Sequence, residues 1–386
     1  MASVSLEAPS ITILNKSAQE PYQELIKKYG SPLLVIDPDV LTRSFNRLSS
    51  ALPGVHLYFA MKANPDPLVI QTLASCGAYF DIATSGEIQL LRNAKVDPER
   101  CIHTHPIKRD QDIKDALRYG CTSFVVDNLD EIKKFTAYRT RVGLLLRVSF
   151  PNPASPVDLS KKFGCTPNQV FELAEQAAQL GLHVNGLSFH AGSQCVSPHN
   201  HILAINRCAD LLLEYNNTHE HNMSILDIGG GFPAQYDETT PDIETFCGPI
   251  KNALDKLPEQ IRIIAEPGRF LVAEAVTSIA SIIGAARRAN GMWYYLDDGV
   301  YGSYSGCIYD HANYPLTIFS DLEETSAATF AGPTCDSIDV FAENIATPEL
   351  SIGDIVVGKV MGAYTNASAT DFNLFPRAKV ISAKIG

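Results

Sequence analysis

The sequence predicts an α/β protein that combines an eight-stranded (β/α)8 barrel of the TIM type with a second, mainly β domain. Short apolar runs rich in Val, Ile and Leu alternate with amphipathic stretches from about residue 31 onward, which is typical of a parallel α/β architecture. After about residue 270 the helical pattern largely stops, and strand-like segments follow one another. The length of 386 residues suits two domains better than one.

The predicted barrel occupies residues 31–269. The amphipathic stretches between its apolar runs are short enough to return the chain for another parallel strand. Because a closed α/β barrel carries its chemistry on the loops after the strands, candidate site residues are expected there. The predicted strands are 33–36, 57–60, 80–82, 123–126, 143–147, 186–190, 225–228 and 262–265, and the predicted helices include 66–76, 85–93, 110–120 and 168–180.

The remaining residues, 270–386, are predicted to form a C-terminal mainly-β barrel domain. Their apolar segments alternate with turns of Gly, Pro and Asn rather than with helices. Residues 1–30 form an N-terminal segment that is expected to join this β domain. The predicted strand segments are 271–283, 292–296, 351–357 and 378–385.

Composition narrows the classes of function. The formal net charge of −12 repels phosphate backbones and attracts cationic substrates, so nucleic acid is not expected as a partner. The sequence has no run of about eighteen apolar residues and no basic N-terminus followed by an apolar stretch, which predicts neither a membrane span nor export. Nine scattered cysteines without C-x-x-C spacing indicate reduced thiols in a cytoplasmic protein, and no metal site is expected.

A lysine follows one predicted strand in the segment 58–64, YFAMKAN. Apolar surroundings disfavour the ammonium form, so Lys62 at a barrel mouth has access to the neutral amine that an imine bond requires. A surface lysine that happens to end a strand is the plainer interpretation, and the local sequence alone favours it.

Three successive glycines follow another predicted strand in the segment 226–233, LDIGGGFP. Without Cβ atoms, the backbone N–H groups of Gly229, Gly230 and Gly231 can converge on an anion such as a phosphate. The spacing matches neither a dinucleotide-binding fingerprint nor a P-loop. Taken alone, the segment is equally compatible with a plain turn.

The segment 265–269, AEPGR, places a carboxylate, a small turn and a guanidinium within four positions after an apolar strand. Glu266 and Arg269 therefore offer a buried acid and an anion clamp, joined through Gly268. The alternative is a local ion pair on the surface. A functional role is favoured, because a Glu that ends a barrel strand usually faces the mouth.

Two further segments carry reactive side chains. His190 and Ser193 lie in 188–193, SFHAGS, although a lone histidine is more often a hydrogen-bonded core or rim residue than a catalyst. The segment 332–339, GPTCDSID, brings the Cys335 thiol and two carboxylates into one turn. Cys335 is equally compatible with the small buried apolar residue that a free cysteine usually is.

In this order, the segments resemble the ornithine decarboxylase family of fold-type III pyridoxal-phosphate enzymes over about residues 31–375. The resemblance implies an alanine-racemase-like barrel with a β domain, and pyridoxal 5′-phosphate as the cofactor. By this resemblance, Lys62 would bind the cofactor covalently, Glu266 would contact the pyridine nitrogen, and His190 would stack on the ring. It also implies a phosphate site of Gly229, Gly230, Gly231, Arg269, Ser193 and Tyr364, a place for Gly268 beside the cofactor, and an ordering role for Asp81, Glu87 and Arg147 around the lysine and ring.

The same resemblance implies a homodimer with each active site at the subunit interface. Cys335, Asp336 and Phe372 would then reach into the barrel of the neighbouring subunit. The resemblance also implies that Lys162 pairs with Asp339 of the partner subunit.

The expected reaction needs groups that hold both ends of an amino acid. Loss of the carboxylate as CO2 leaves an electron pair at Cα, which only a conjugated cofactor can stabilise. Carboxylates hold a distal ammonium best, and Asp310 and Asp336 are the candidates, with Tyr309 and Phe372 as further substrate-binding residues. A proton must then return to Cα, and the Cys335 thiol is the candidate acid.

These residues predict the decarboxylation of a small basic amino acid, with L-ornithine as the expected substrate and putrescine as the product. A dual lysine/ornithine decarboxylase is the close alternative, because one methylene changes discrimination by only about 1–3 kcal/mol. A diaminopimelate decarboxylase is less favoured, since those enzymes resemble a Cys-Glu-Ser pattern where this chain has Cys335, Asp336 and Ser337.

Two alternatives from other classes remain. An amino-acid racemase would need a second base at the place that Cys335 is expected to occupy. A non-catalytic homologue that binds a partner protein would be expected to lose Lys62 or the clamp, yet Lys62, Glu266, Arg269 and Cys335 are all present.

Overall fold

The computed structural model describes residues 9–151 and 161–384. These residues contain seventeen strands and eleven α-helices. The strands are β1 (Ile11–Leu14), β2 (Leu33–Ile36), β3 (His56–Ala60), β4 (Tyr79–Ile82), β5 (Cys101–His103), β6 (Ser123–Val126), β7 (Gly143–Val148), β8 (Val184–Phe189), β9 (Ile225–Asp227), β10 (Arg262–Ala265), β11 (Val276–Arg288), β12 (Gly291–Leu296), β13 (Leu316–Phe319), β14 (Ser326–Ala331), β15 (Val340–Thr347), β16 (Ile355–Gly358) and β17 (Lys379–Ser382). The helices are α1 (Glu20–Tyr29), α2 (Pro38–Ala51), α3 (Pro67–Ser75), α4 (Ser85–Asn93), α5 (Asp110–Tyr119), α6 (Leu129–Lys133), α7 (Val170–Gln179), α8 (His199–Thr218), α9 (Ile243–Leu254), α10 (Arg269–Val272) and α11 (Gly306–Tyr309).

The described chain divides into two compact units, one of residues 42–151, 161–233 and 241–271 and the other of residues 9–41, 234–240 and 272–384. The first unit is a closed parallel barrel. Its strands are hydrogen-bonded in the order β10, β3, β4, β5, β6, β7, β8 and β9, and β9 closes the ring on β10. Helices between consecutive strands carry the chain back, so all eight strands run in one direction and their carboxyl ends share one mouth.

The alternation of side chains along the barrel strands decides which side chains lie at the mouth of the barrel. Tyr58, Ile102, Val125, Leu145 and Ile264 form one buried cluster, to which Tyr79 and Ile225 add. Because side chains on one face of a strand recur every second residue, the next layer towards the mouth lies two positions further along each strand. That layer contains Asp81, Thr104, Arg147, Asp227 and Glu266.

Local signals fix where the barrel helices begin and end. Asp66 caps the N-terminus of α3, because its Oδ1 accepts the Leu68 N–H at 2.8 Å. A capping box starts α4: the Thr84 hydroxyl oxygen accepts the Glu87 N–H at 3.3 Å, and Glu87 Oε2 accepts the Thr84 N–H at 3.2 Å. Gly120, which has a φ of +112°, caps the C-terminus of α5.

The second unit is a mixed sheet of nine strands. Hydrogen bonds connect β1, β13, β16, β11, β12, β14 and β15 in that order, while β2 pairs with β11 and β17 pairs with β2. A buried core supports this sheet with Tyr22 of α1, Leu33, Ile279, Phe319 and Val357. None of the described helices combines the length and hydropathy that a bilayer crossing requires.

The predicted fold class is confirmed, since a closed α/β barrel and a separate β domain are both present. One strand assignment is wrong: 33–36, expected in the barrel, pairs antiparallel with β11 in the mixed sheet. Its four residues are all buried, and a continuous apolar run does not reveal which sheet will bury it. The eighth barrel strand is instead β5, whose three residues are too few for a periodic pattern.

The sequence also underestimates the β domain, because strands β1, β13, β14 and β15 were not among the predicted segments. The predicted domain limits at residues 30 and 269 stay predictions, because compactness alone does not show which part of the chain folds independently.

Candidate active site

The barrel mouth collects most of the predicted site residues, although they lie far apart in the sequence. Each one belongs to the end of a strand or to the loop that follows it, where parallel strands converge. Lys62 follows β3, Asp81 lies in β4, Arg147 lies in β7, His190 and Ser193 follow β8, Gly229, Gly230 and Gly231 follow β9, and Glu266, Gly268 and Arg269 follow β10.

Three buried carboxyl groups lie in this mouth. Asp81, Asp227 and Glu266 are 4%, 0% and 8% exposed. Burial raises the pKa of Asp81 and that of Glu266 well above their usual ranges, and it raises the pKa of Asp227 to about 6. Repulsion adds to burial, because the charge of Glu266 acts on Asp81 and that of Asp227 acts on Glu266. A cation placed against this cluster would therefore be held strongly.

Lys62 contributes positive charge to two of these acids, Asp81 and Glu266. It lies on the short 3₁₀ turn Met61–Ala63 directly after β3. Burial raises the pKa of three acids, and the charge of Lys62 opposes this effect by lowering the pKa of each. These acids are Asp81, Glu87 and Glu266. The AEPGR segment packs on the same turn, since a Cβ at Gly268 would lie only 3.2 Å from the Cβ of Ala63. The turn that carries Lys62 is thus held by glycine packing, and the charge of the exposed lysine side chain acts on three carboxyl groups.

Thr104 supports the acid next to Lys62. Its hydroxyl group donates a hydrogen bond to Asp81 Oδ1. This bond lowers the pKa of Asp81, although burial and the charge of Glu266 outweigh it. The loop after β5 therefore contributes to the site, even though β5 itself was not predicted.

The three glycines after β9 form a turn in which every carbonyl group has a partner. Gly229 O accepts the Glu266 N–H at 2.7 Å, and Gly231 O accepts the Cys195 N–H at 2.9 Å. Gly230 O lies 3.0 Å from the ring Nε2 of His201. Because the C=O and N–H of a trans peptide point to opposite sides, the N–H groups of the following residues are directed away from these partners. This is the arrangement that an anion-binding turn requires.

Side chains are excluded from this turn. Gly229 and Gly231 have φ angles of +66° and +102°, which L side chains rarely adopt. A Cβ at Gly231 would lie 2.4 Å from Gly192 O, and a Cβ at Gly230 would lie 2.7 Å from Glu266 O. Glycine is therefore required at all three positions for the turn to pack.

Two arginines bring positive charge to the mouth. Arg269 is 7% exposed, and its guanidinium donates to Ser193 Oγ at 3.0 Å. Burial lowers the pKa of Arg147, while the charges of Glu266 and Asp127 work in the opposite direction. Arg269 and Ser193 thus place a guanidinium and a hydroxyl side by side, which suits a phosphate.

His190 presents a neutral imidazole ring. The Gly192 N–H donates to His190 Nδ1 at 3.1 Å, so Nδ1 is the acceptor and the ring proton lies on Nε2. Burial, followed by the charges of Arg147 and Lys62, lowers the pKa of His190 well below its usual range. An uncharged ring of this kind can pack against the face of an aromatic ligand.

A second group of predicted residues lies in the β domain and is joined by Tyr301. The Tyr301 hydroxyl donates to Asp336 Oδ2 at 2.5 Å, and its ring stacks on Phe372 with centroids 4.3 Å apart. This hydrogen bond holds the pKa of Asp336 below its usual range and raises the pKa of Tyr301 to about 12. Asp336 is therefore ionised at neutral pH. Tyr301 and Phe372 also line a small cleft.

Cys335 is exposed and is oriented by Asn373. The Cys335 N–H and its thiol both donate to Asn373 Oδ1, each at 3.1 Å. Asn373 has a φ of +53°, a left-handed conformation that asparagine tolerates better than most residues. The backbone at residue 373 thus aims an amide oxygen at the turn that carries the thiol.

Three other predicted residues also lie in the β domain. Tyr309 ends α11 with 60% of its surface exposed, and Asp310 follows it. Tyr364 has a φ of +56°, and its carbonyl oxygen accepts the Ser368 hydroxyl at 2.7 Å. Their roles towards substrate and phosphate stay predictions.

Asp339 is bound within its own chain. Its side chain is 2% exposed, its Oδ1 accepts the Val300 N–H at 2.9 Å, and its Oδ2 accepts the Thr334 N–H at 3.0 Å. Asp339 thereby ties together the two loops that carry Tyr301 and Cys335. The expected pairing of Lys162 with Asp339 of the partner subunit stays a prediction.

Comparison with known proteins identifies the family. Residues 39–273, more than half of the chain, match the family model described as pyridoxal-dependent decarboxylase, pyridoxal binding domain. The chain belongs to this family. The family resemblance inferred from the sequence motifs is therefore confirmed, and the protein is a pyridoxal-phosphate-dependent amino-acid decarboxylase.

Individual relatives cover nearly all of the decarboxylase. It is 35% identical to the lysine/ornithine decarboxylase of Selenomonas ruminantium, over 94% of this chain and 92% of that one. It is 36% identical to the ornithine decarboxylase of Rattus norvegicus, over 89% and 78%. The lysine/ornithine decarboxylase of Vibrio vulnificus, solved with putrescine, is 47% identical with a TM-score of 0.91, over 96% and 99%. That protein has also been solved with cadaverine.

The residues at the barrel mouth fit pyridoxal phosphate, the cofactor of this family. The glycine turn, Ser193 and Arg269 together offer N–H, hydroxyl and guanidinium donors to a phosphate. Glu266 fits a protonated ring nitrogen, because a cation beside it relieves the repulsion that raises its pKa. Lys62 supplies the amine for covalent attachment. These assignments of individual residues are proposals that the geometry supports.

The structure adds to these two groups several residues that were not predicted from the sequence. For Asp227 the sequence does contain an indication of a site residue. A carboxylate within an apolar strand and two positions before a glycine run is costly to bury among apolar side chains. The sequence contains no such indication for the other four residues, because each acts through a neighbour that is distant in sequence. These residues are Thr104, Tyr301, Asn373 and His201.

Proposed function

We propose that the decarboxylase removes CO2 from L-ornithine and releases putrescine. The observation that carries this proposal is the Asp336 carboxylate, which Tyr301 holds in the ionised form next to Cys335. An ionised carboxylate binds a terminal ammonium group through a charge-assisted hydrogen bond. Asp310, in the same domain, offers a second carboxylate. The names of the relatives, and the structure of one with putrescine, support a substrate with a terminal amine.

A dual lysine/ornithine activity is the second candidate. Two of the relatives are named lysine/ornithine decarboxylases, and one of them has been solved with putrescine and with cadaverine. The two diamines differ by one methylene, which a pocket distinguishes by only about 1–3 kcal/mol.

The residues of the chain bind and orient while the cofactor supplies the conjugated system. When bound, pyridoxal phosphate takes up the electron pair that stays at Cα after CO2 leaves. Glu266 balances the charge of the ring nitrogen and so keeps its proton in place. Arg269 and the glycine turn hold the phosphate. Asp336 and Asp310 hold the distal ammonium, so that both ends of the substrate are fixed and the bond to the carboxylate keeps one orientation.

Cys335 completes the reaction by returning a proton to Cα. A thiol is a suitable acid for this step because it can be placed close to a carbon atom and regains its proton from solvent. The hydrogen bonds from Cys335 to Asn373 give the thiol a fixed starting position. The proton therefore reaches Cα rather than another carbon atom of the conjugated system.

We further propose that a homodimer brings the Asp336 group of one chain to the barrel mouth of the other. Contiguous exposed apolar side chains usually mark an interface. The turns that carry Cys335, Asp336 and Asn373 have such neighbours, and Leu374, at 87% exposure, also has a φ of +58° that presents it to solvent. The exposed apolar residues are Tyr309, Ile338, Phe372, Leu374 and Phe375.

A substrate panel tests the proposed activity. Purified protein is supplied with pyridoxal phosphate, and CO2 release is measured from ornithine, lysine, arginine and diaminopimelate, with Lys62→Ala as the blank. We expect the highest kcat/KM with ornithine and a value for lysine within about 200-fold of it. Release from none of the four would overturn the proposal. Release of CO2 from diaminopimelate alone or from arginine alone would show that this amino acid, and not ornithine, is the substrate.

The Cys335→Ala variant tests the proton donor. We expect kcat for ornithine to fall by about 10²-fold, since a positioned acid typically contributes that much. We also expect more aldehyde and aminated cofactor, because the proton then reaches the wrong carbon. Chromatography of the products measures the ratio of putrescine to aldehyde. Cys76→Ala serves as the control, since Cys76 is a partly exposed thiol on the barrel. A product ratio equal to that of the unmodified enzyme would rule out Cys335 as the donor.

A further inference from the structure

His201 is a buried histidine that none of the predicted motifs contains. It lies in α8, and its side chain is fully buried. Its ring Nε2 lies 3.0 Å from Gly230 O. A carbonyl oxygen only accepts hydrogen bonds, so the ring proton lies on Nε2 and His201 is the donor. The middle carbonyl of the glycine turn is thus the one that a side chain holds.

This hydrogen bond also fixes the direction of a backbone donor. The peptide between Gly230 and Gly231 is planar and trans, so its N–H points away from its C=O. Glycine has no side chain to limit rotation of that peptide plane. Holding Gly230 O towards α8 therefore turns the Gly231 N–H towards the opposite side. Backbone N–H groups hold Gly229 O and Gly231 O in the same way.

The surroundings of His201 show that the ring is not there for packing alone. Its Nδ1 has no hydrogen-bond partner among the described residues. The rings of Phe232, Phe246 and Phe189 lie with centroids 5.7, 5.6 and 6.3 Å from it. A buried acceptor without a partner destabilises a fold, and an apolar side chain would suit this aromatic surrounding better. A residue that breaks a packing rule in this way usually has a functional reason.

We propose that His201 is a positioning residue for the phosphate of the cofactor, acting through the Gly230 carbonyl. The ring holds the peptide plane so that the Gly231 N–H stays directed at the phosphate and does not rotate away. The inference rests on the proposed phosphate site at the glycine turn. It adds a residue of α8 that does not touch the cofactor.

Two variants separate the hydrogen bond from the volume of the side chain. His201→Gln keeps an N–H donor close to the position of Nε2, whereas His201→Met keeps the bulk and removes the donor. Apoprotein of each variant is titrated with pyridoxal phosphate and, separately, with pyridoxal, which lacks the phosphate but can still react with Lys62. Absorbance of the bound cofactor gives both dissociation constants.

We expect His201→Met to bind pyridoxal phosphate about 5- to 20-fold more weakly, the loss of one hydrogen bond to a charged group, and to bind pyridoxal unchanged. His201→Gln should stay within about twofold of the unmodified protein for both ligands. The thermal midpoint of the His201→Met apoprotein should change little, because the variant removes one unpartnered acceptor, Nδ1, and leaves another, Gly230 O, without its donor. His199→Met, at the exposed start of α8, is the control and should change neither constant.

The outcomes distinguish this inference from the site on which it rests. Equal weakening of pyridoxal and pyridoxal phosphate in His201→Met would show a structural role and overturn the inference. Unchanged binding of pyridoxal phosphate would overturn it as well. If the unmodified protein itself bound the two ligands equally, the phosphate site at the glycine turn would fail instead. Should His201→Met not fold, His201→Phe replaces it with the same expectations.

Discussion

A Lys62→Ala variant is expected to lose covalent attachment of pyridoxal phosphate and at least about 10³-fold of kcat/KM for ornithine, because a tethered amine acts at an effective concentration that no free amine reaches. The geometry supports a loss of this size. Lys62 lies on a short turn that Gly268 packs against, and its amine lies in the field of Asp81 and Glu266. Alanine removes the positive charge that lowers the pKa of both buried acids, so some loss of stability is also expected.

Borohydride reduction followed by peptide mass spectrometry measures the attachment directly. In the unmodified enzyme the pyridoxyl group should appear on the peptide that contains Lys62, and in Lys62→Ala it should appear on no specific peptide. Lys133→Ala, an exposed lysine of α6, is the matched control and should keep both the adduct and the activity. An adduct on a different lysine of the unmodified enzyme would remove the basis for the whole site.

Much of the barrel could be predicted because each of its strands is a short apolar run followed by a helix. Strand β5 escaped prediction, since its three residues give too little pattern. Strand β2 has a strong apolar pattern but belongs to the other sheet, where it pairs with β11 and β17. A pattern of buried residues shows that a segment is a strand, whereas long-range pairing decides its neighbours.

Site residues were predictable where one sequence segment contains both the binding or reactive groups and the local conformation that presents them. The glycine turn is an example, because three adjacent glycines already indicate a turn that needs close approach. Residues that act through another residue gave no such indication. Asn373 reaches Cys335 from 38 positions away, and His201 reaches Gly230 from 29 positions away. These contacts exist only after the chain has folded, so a sequence pattern cannot contain them.

Mixing two inactive variants is expected to restore activity if two chains share each site, as we propose. Lys62→Ala removes the cofactor amine, and Asp336→Ala removes the carboxylate that would hold the distal ammonium. In a shared site, each mixed dimer has one site with both residues intact and one site with neither. Random exchange of subunits in an equal mixture should therefore give about a quarter of the unmodified activity, whereas each variant alone should retain about 1% or less.

The recovered activity distinguishes a site shared by two chains from a site formed within one chain. Single variants do not distinguish these two arrangements. If Lys62 and Asp336 of the same chain formed one site, every dimer in the mixture would contain only defective sites, and the rate would equal the average of the two separate variants. CO2 release from ornithine, followed as the variants exchange subunits, gives this rate directly. Lys62→Ala mixed with a Lys62→Ala, Asp336→Ala double variant is the control, since no dimer formed there contains an intact Lys62. Recovery in the first mixture but not in the second can come only from an active site to which both chains contribute.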